Sequence, residues 1–173
     1  LGGTAALFNA WLPLQEALND PNASFAGYLM WYPGCLALPD VNEWDQDFMQ
    51  IYIGEDDNWT PPQPCKELVA LMNEKGGSAN IELYPNAFHS FDSPNPLKLW
   101  PDAYSWANCK LKLNGKTKKV YDPNNIDLDF SDPKARRAAY ESCAVKGEVM
   151  AGASPEYQNA AFEHLATLLP KLD

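Results

Sequence analysis

The chain has 173 residues, with 23 acidic side chains against 13 basic ones and a formal net charge of −10. That length suits one domain around one hydrophobic core, and so acidic a surface repels phosphate backbones, which argues against nucleic acid as a partner. No apolar run approaches the ~20 residues of a membrane-spanning helix, so no membrane partner is expected.

In chain order, residues 2–12, GGTAALFNAWL, are small and apolar and stop before Pro13. They read as a short buried helix opened by two glycines. Residues 25–32, FAGYLMWY, are apolar and short and end at Pro33-Gly34, the pattern of a buried strand. Residues 47–53, DFMQIYI, read as a second strand ending at Gly54. Residues 61–77 read as a helix with Thr60 as its cap, prolines in its first turn and Gly76 as its stop. Cys65, Leu68, Val69 and Met72 share one face of it, at i, i+3, i+4 and i+7. Residues 80–85, NIELYP, alternate as a third strand. Residues 93–153 are polar and rich in turn residues, an irregular excursion without a repeat. A helix closes the chain, with Ser154 as cap and Pro155 in its first position. Strands separated by helices predict an α/β fold: a mostly parallel sheet flanked by helices.

In open α/β sheets, sites gather beyond the carboxyl ends of the strands. Asp57 follows one strand in IGEDDNWTPP, and His89 follows the next in YPNAFHSFD. An aspartate and a histidine on adjacent loops can meet at the sheet's rim, where the carboxylate fixes the tautomer of the imidazole and stabilises its cation. The order nucleophile, Asp, His is that of α/β-hydrolases. Their nucleophile stands two residues before the last glycine of G-x-S-x-G. Taking Gly2 as that glycine puts the nucleophile immediately before Leu1.

YPGC, IGEDDNWTPPQPC and LYPNAFHSFD together resemble the C-terminal half of the dienelactone hydrolase family of α/β-hydrolases, over residues 1–92 and the closing helix. In that family the acid sits in a Gly-x-x-Asp-x-x-x-Pro pattern, which Gly54, Asp57 and Pro61 fill, and the family histidine falls on His89. The family's Cys or Ser nucleophile has no counterpart in residues 1–173, and neither do the strands before it. The resemblance therefore implies a single hydrolase domain, residues 1–173, cut just after its nucleophile and missing its N-terminal half. It implies hydrolysis of a small ester or lactone by a Ser/Cys-His-Asp triad, with the Leu1 N–H in the oxyanion hole and no metal or organic cofactor. This chain alone is expected to be inactive. Residues 25–32 would form an apolar edge strand, whose natural neighbour is the strand leading to the nucleophile. Two alternatives stay open: another α/β-hydrolase activity such as a peptidase or acyltransferase, or a non-catalytic binding module of the same fold.

Several residues have a simpler reading. Asp56 and Asp57 are both turn formers, and a shift of one residue would exchange them. Trp59 and Phe88 read as core. Ser90 adjoins His89, but a neighbour in sequence points away from the base. His164 sits mid-helix without a motif. The KTKK run at residues 116–119 reads as a solvated loop. Residues 22–24 and 58–60 match the N-glycosylation pattern, and a glycan on Asn58 would crowd the site.

Cys35, Cys65, Cys109 and Cys143 lack the CxxC spacing of zinc sites. They are either buried thiols or disulfides. Cys35 follows the first strand and Cys65 opens the helix after the second, so both lie on one side of the sheet and can pair. Cys109 and Cys143 would then staple the excursion. That pairing favours an oxidising compartment, the periplasm or the cell exterior, over the cytoplasm.

Overall fold

A computed structural model of the protein describes residues 1–18, 25–45, 47–125 and 130–171. The first half of the chain runs α1 (Gly2–Asn9), α2 (Leu12–Leu18), β1 (Gly27–Trp31), β2 (Ala37–Pro39), β3 (Phe48–Gly54), α3 (Pro62–Glu74) and β4 (Ala79–Tyr84). The excursion then forms β5 (Lys98–Trp100), β6 (Tyr104–Ser105), β7 (Leu111–Leu113), β8 (Val120–Tyr121), α4 (Pro133–Cys143), β9 (Val145–Lys146) and β10 (Val149–Ala151). Helix α5 (Pro155–Leu168) closes the fold and ends in a 3₁₀ turn, Leu169–Lys171.

β1, β3 and β4 form a parallel sheet with β3 in the centre. β3 is buried almost throughout, Gln50 included, as befits a strand covered on both faces. Side chains alternate across the sheet. Met49, Ile51 and Ile53 join Met30, Leu7 and Trp11 of the α1 side and Leu68 and Met72 of α3 in one core cluster. Tyr52 and Tyr84 face the other way and pack with Phe91 and with Ala161 and Leu168 of α5. The fold is thus a mixed α/β arrangement with helices on both faces of its parallel sheet.

The buried face expected for α3 is the one observed: Cys65, Leu68, Val69 and Met72. Other expectations change. The apolar stretch at the N-terminus splits at Ala10, and Pro13 stands in the first turn of α2 rather than beyond a single helix. This is the helical position where a missing N–H costs nothing. Thr60 does not cap α3, whose N-cap is Pro61. Ser154 holds the N-cap position of α5 but makes no capping hydrogen bond. The excursion is less irregular than its composition indicates. α4 begins at Asp132, whose side chain accepts the Lys134 N–H at 3.0 Å. The rest is built from antiparallel pairs β5/β10 and β6/β9, and from β7, which joins β2 to β8.

The cysteines pair as Cys35–Cys65 and Cys109–Cys143. The first bridge ties the loop after β1 to the first turns of α3; the second ties the loop after β6 to the end of α4. Closing loops of 30 and 34 residues restricts the unfolded chain by an amount worth about 3–4 kcal/mol each.

Two glycines mark where elements approach too closely for any side chain. A Cβ on Gly3 would run into the Trp31 carbonyl, so α1 lies directly on the end of β1. A Cβ on Gly54 would run into the Ala87 carbonyl, where the loop after β4 crosses the end of β3. Gly54→Ala is expected to cost about 1–3 kcal/mol through this overlap, read as a lower urea midpoint with an unchanged slope.

Candidate active site

The end of β3 and the end of β4 deliver Asp57 and His89 to one place. Gly54 lets the two loops touch, and backbone bonds lock them: Glu55 N–H donates to the Tyr84 carbonyl at 2.9 Å and Asp56 N–H to the Ala87 carbonyl at 3.1 Å. The Asp56 side chain is exposed, whereas Asp57 is 2% exposed. Asp57, not Asp56, faces the histidine.

A buried carboxylate needs its lone pairs filled. At Asp57, Oδ1 accepts the backbone N–H groups of Trp59 at 2.9 Å and Thr60 at 2.8 Å. Oδ2 accepts from the Thr60 hydroxyl at 3.0 Å and from His89 Nδ1 at 2.8 Å. With the carboxylate as acceptor, the imidazole proton sits on Nδ1 and Nε2 carries the lone pair. The Thr60 hydroxyl also lies 3.2 Å from the Tyr32 carbonyl and 3.1 Å from His89 Nδ1. It has one proton to give, to Asp57 or to Tyr32, and both choices buttress the pair. Thr60 reads in the sequence as a helix cap, so its place here has no local signal.

Two rings hold the imidazole, Tyr32 with centroids 4.5 Å away and Trp59 at 4.9 Å. The His89 side chain keeps 16% exposure. Tyr32 has φ of 36°, a left-handed conformation rare for a bulky residue, and donates its hydroxyl to Asp92 at 3.0 Å. Burial, then the charge of Asp92, pushes the Tyr32 phenol up to about 12. Ser90, next to His89, has φ of 60°, a left-handed conformation. His164 stacks edge-on against Tyr52 at 5.7 Å, on the α5 side of the sheet. Trp59 and Phe88 are both half-buried and belong to neither core cluster. This corrects their assignment to the core: the acid loop turns the Trp59 ring toward His89 and the surface.

Asn58 has a role that its sequence context hides. Its side-chain amide donates to the Glu148 carbonyl at 2.6 Å and its oxygen accepts the Met150 N–H at 3.0 Å. β10 is thereby clamped to the acid loop, and the Gly152 N–H donates to the His89 carbonyl at 2.9 Å. A glycan on this amide would break the clamp. The other glycosylation match, residues 22–24, lies outside the described residues.

The first turn of α1 lies against this site. Gly34 N–H donates to the Thr4 hydroxyl at 2.8 Å, and the space beside its Cα is bounded by Thr4 and the Thr60 methyl. Leu1, ahead of that turn, is fully exposed. All four cysteines are in disulfides. Among the described residues no cluster of three or more metal-ligating side chains occurs, and no helix is long and apolar enough to cross a membrane. Comparisons with protein-family models, curated proteins and solved structures found no match.

Two outcomes follow. Asn58→Ala, which removes both clamp bonds, is expected to destabilise by about 1–3 kcal/mol and to speed hydrogen exchange at Met150 and Gly152. At high pH the unfolded chain releases tyrosine protons from about pH 10, while Tyr32, Tyr28 and Tyr84 hold theirs longer, chiefly because burial disfavours the phenolate. The native state then binds more protons, so stability falls as pH rises. A denaturant midpoint flat to about pH 10 and falling towards pH 12 is expected.

Proposed function

We propose that this chain is the C-terminal part of an α/β-hydrolase domain that cleaves ester or lactone bonds, with His89 as proton carrier and Asp57 as its orienting carboxylate. The observation that carries this reading is the 2.8 Å contact between His89 Nδ1 and Asp57 Oδ2, made by loops at the carboxyl ends of adjacent parallel strands. The resemblance to dienelactone hydrolases at Gly54, Asp57, Pro61 and His89 supports it.

The nucleophile is a serine or cysteine carried by chain ahead of Leu1. Its support is positional. The first turn of α1 touches Gly34, which adjoins Thr60, which touches His89. β1 stands at the edge of the sheet and pairs only with β3 among the described residues, with Tyr28 and Met30 buried. A further strand leading into the nucleophile would cover that edge. The two disulfides fit an oxidising compartment, periplasmic or extracellular.

In this mechanism Nε2 of His89 takes the proton of the nucleophile as its oxygen or sulfur bonds to the carbonyl carbon. Asp57 stabilises the imidazolium. The Leu1 N–H donates to the oxyanion, with a second donor from the N-terminal half. Nε2 returns the proton to the leaving alcohol, and the C–O bond breaks. Water then attacks the acyl group, gives its proton to Nε2, and releases the acid as the nucleophile is reprotonated.

The test uses the longer chain that includes the residues ahead of Leu1. Asp57→Asn is expected to lower kcat for ester hydrolysis by about 10⁴-fold, because an amide favours the wrong imidazole tautomer. His89→Ala is expected to lose as much. A longer chain that hydrolyses no ester or lactone and is not labelled by a fluorophosphonate or a thiol alkylator would overturn the reading.

A further inference from the structure

Beside His89 a ring that packs on the imidazole is continued outward by one that the core does not use. Trp59 lies 4.9 Å from the imidazole, and Trp100 of β5 lies 6.3 Å further out, its ring tilted 39° to that of Trp59. Trp100 is 41% exposed and absent from both core clusters. Leu97 and Leu99 beside it are 41% and 52% exposed. Alternate side chains of β5 face opposite ways, so Trp100 shares its face with Lys98 and not with Leu99; the exposed ring that adjoins Trp59 beside the histidine–carboxylate pair is the candidate binding surface.

The wall is held rigid. β5 pairs with β10 from Lys98↔Ala151 to Trp100↔Val149. β10 is clamped by Asn58, next in sequence to the acid, and Ala151 bridges His89 itself. Lys98 places its ammonium 4.3 Å from the centroid of the Trp100 ring, a cation–π contact on its exposed face. Rings set in advance lose little freedom when a ligand arrives. Tilted and offset geometries are those in which aromatic rings attract one another.

We infer that the Trp59–Trp100 wall recognises a planar aromatic group next to the scissile carbonyl, so that the substrates are aryl-bearing esters rather than short aliphatic ones. This rests on the hydrolase reading for the chemistry, though not for the binding. The ring of the substrate lies along Trp59 and Trp100 and brings its carbonyl to Nε2 of His89.

The longer chain is assayed by pH-stat with methyl benzoate and with methyl butanoate. In parallel, the indole N–H signals of Trp59 and Trp100 are followed by NMR during titration with benzamide, a neutral aryl probe. The wild type is expected to prefer the benzoate, and benzamide to shift both indoles. Trp100→Ala is expected to cut the benzoate-to-butanoate ratio of kcat/KM about tenfold or more, and Trp100→Phe to restore most of it. An unaltered ratio in Trp100→Ala, with butanoate hydrolysis present, overturns the aryl wall and leaves the hydrolase standing. Benzamide shifts at Trp59 and Trp100, without hydrolysis of any ester or lactone and without labelling by a fluorophosphonate or a thiol alkylator, leave the aryl site standing and overturn the hydrolase. Indoles unmoved by benzamide overturn the wall outright.

Discussion

The site is organised by one buried carboxylate. Asp57 has lost its water, and the fold returns up to four hydrogen bonds to it from Trp59, Thr60 and His89. Supplying the first three from residues two and three positions ahead forces the chain into a tight turn. That turn aims the Trp59 ring at the imidazole and sets the entry to α3. Supplying the fourth requires the loop after β4 to cross the end of β3, which only a glycine at position 54 permits. An unpaired carboxylate at this depth would cost several kcal/mol, so the parts of the rim are mutually dependent.

The sheet underneath is what makes the rim possible. Two adjacent parallel strands end side by side, so the loops that follow them start within reach of each other. β3 between two neighbours and two helical layers cannot slide, because a shift of one residue would turn Ile51 and Ile53 out of one core and Tyr52 out of the other. The Cys35–Cys65 bridge adds a covalent tie between the loop after β1 and the start of α3, the two segments that flank Thr60. The rigidity of the pair is thus inherited from layers that never touch it.

The excursion after His89 has no core cluster of its own: Leu111, Leu113, Phe130 and Ala139 pack into the main core, and the rest is fastened to it. Short ribbons, the Cys109–Cys143 bridge and the Asn58 clamp hold it against the acid loop. Its exposed apolar side chains, Leu97, Leu99 and Trp100, lie at the β5–β10 ribbon.

Much of this was legible in the residues. The spacing of Cys65, Leu68, Val69 and Met72 marks a helix face, because a 3.6-residue period admits no other reading. Residues 47–53 mark a strand ending at Gly54, and the order of Asp57 and His89 after successive strands places both at one rim. The ribbons β5 to β10 are too short for alternation to register. α4 did carry a signal, the Asp132-Pro133 start, that the surrounding turn residues obscured. Local sequence determined α3, α5, the three parallel strands and the meeting of an acid loop with the His89 loop at one rim, because those depend on periodicity and chain order. Only the tertiary structure decided that Asp57 rather than Asp56 turns inward, that Thr60 and Asn58 brace the rim, and that Trp59 joins Trp100 instead of the core. Each of those outcomes depends on which distant backbone group arrives beside the residue: the Ala87 carbonyl, the Tyr32 carbonyl, or the β10 amides. No local pattern encodes such an arrival.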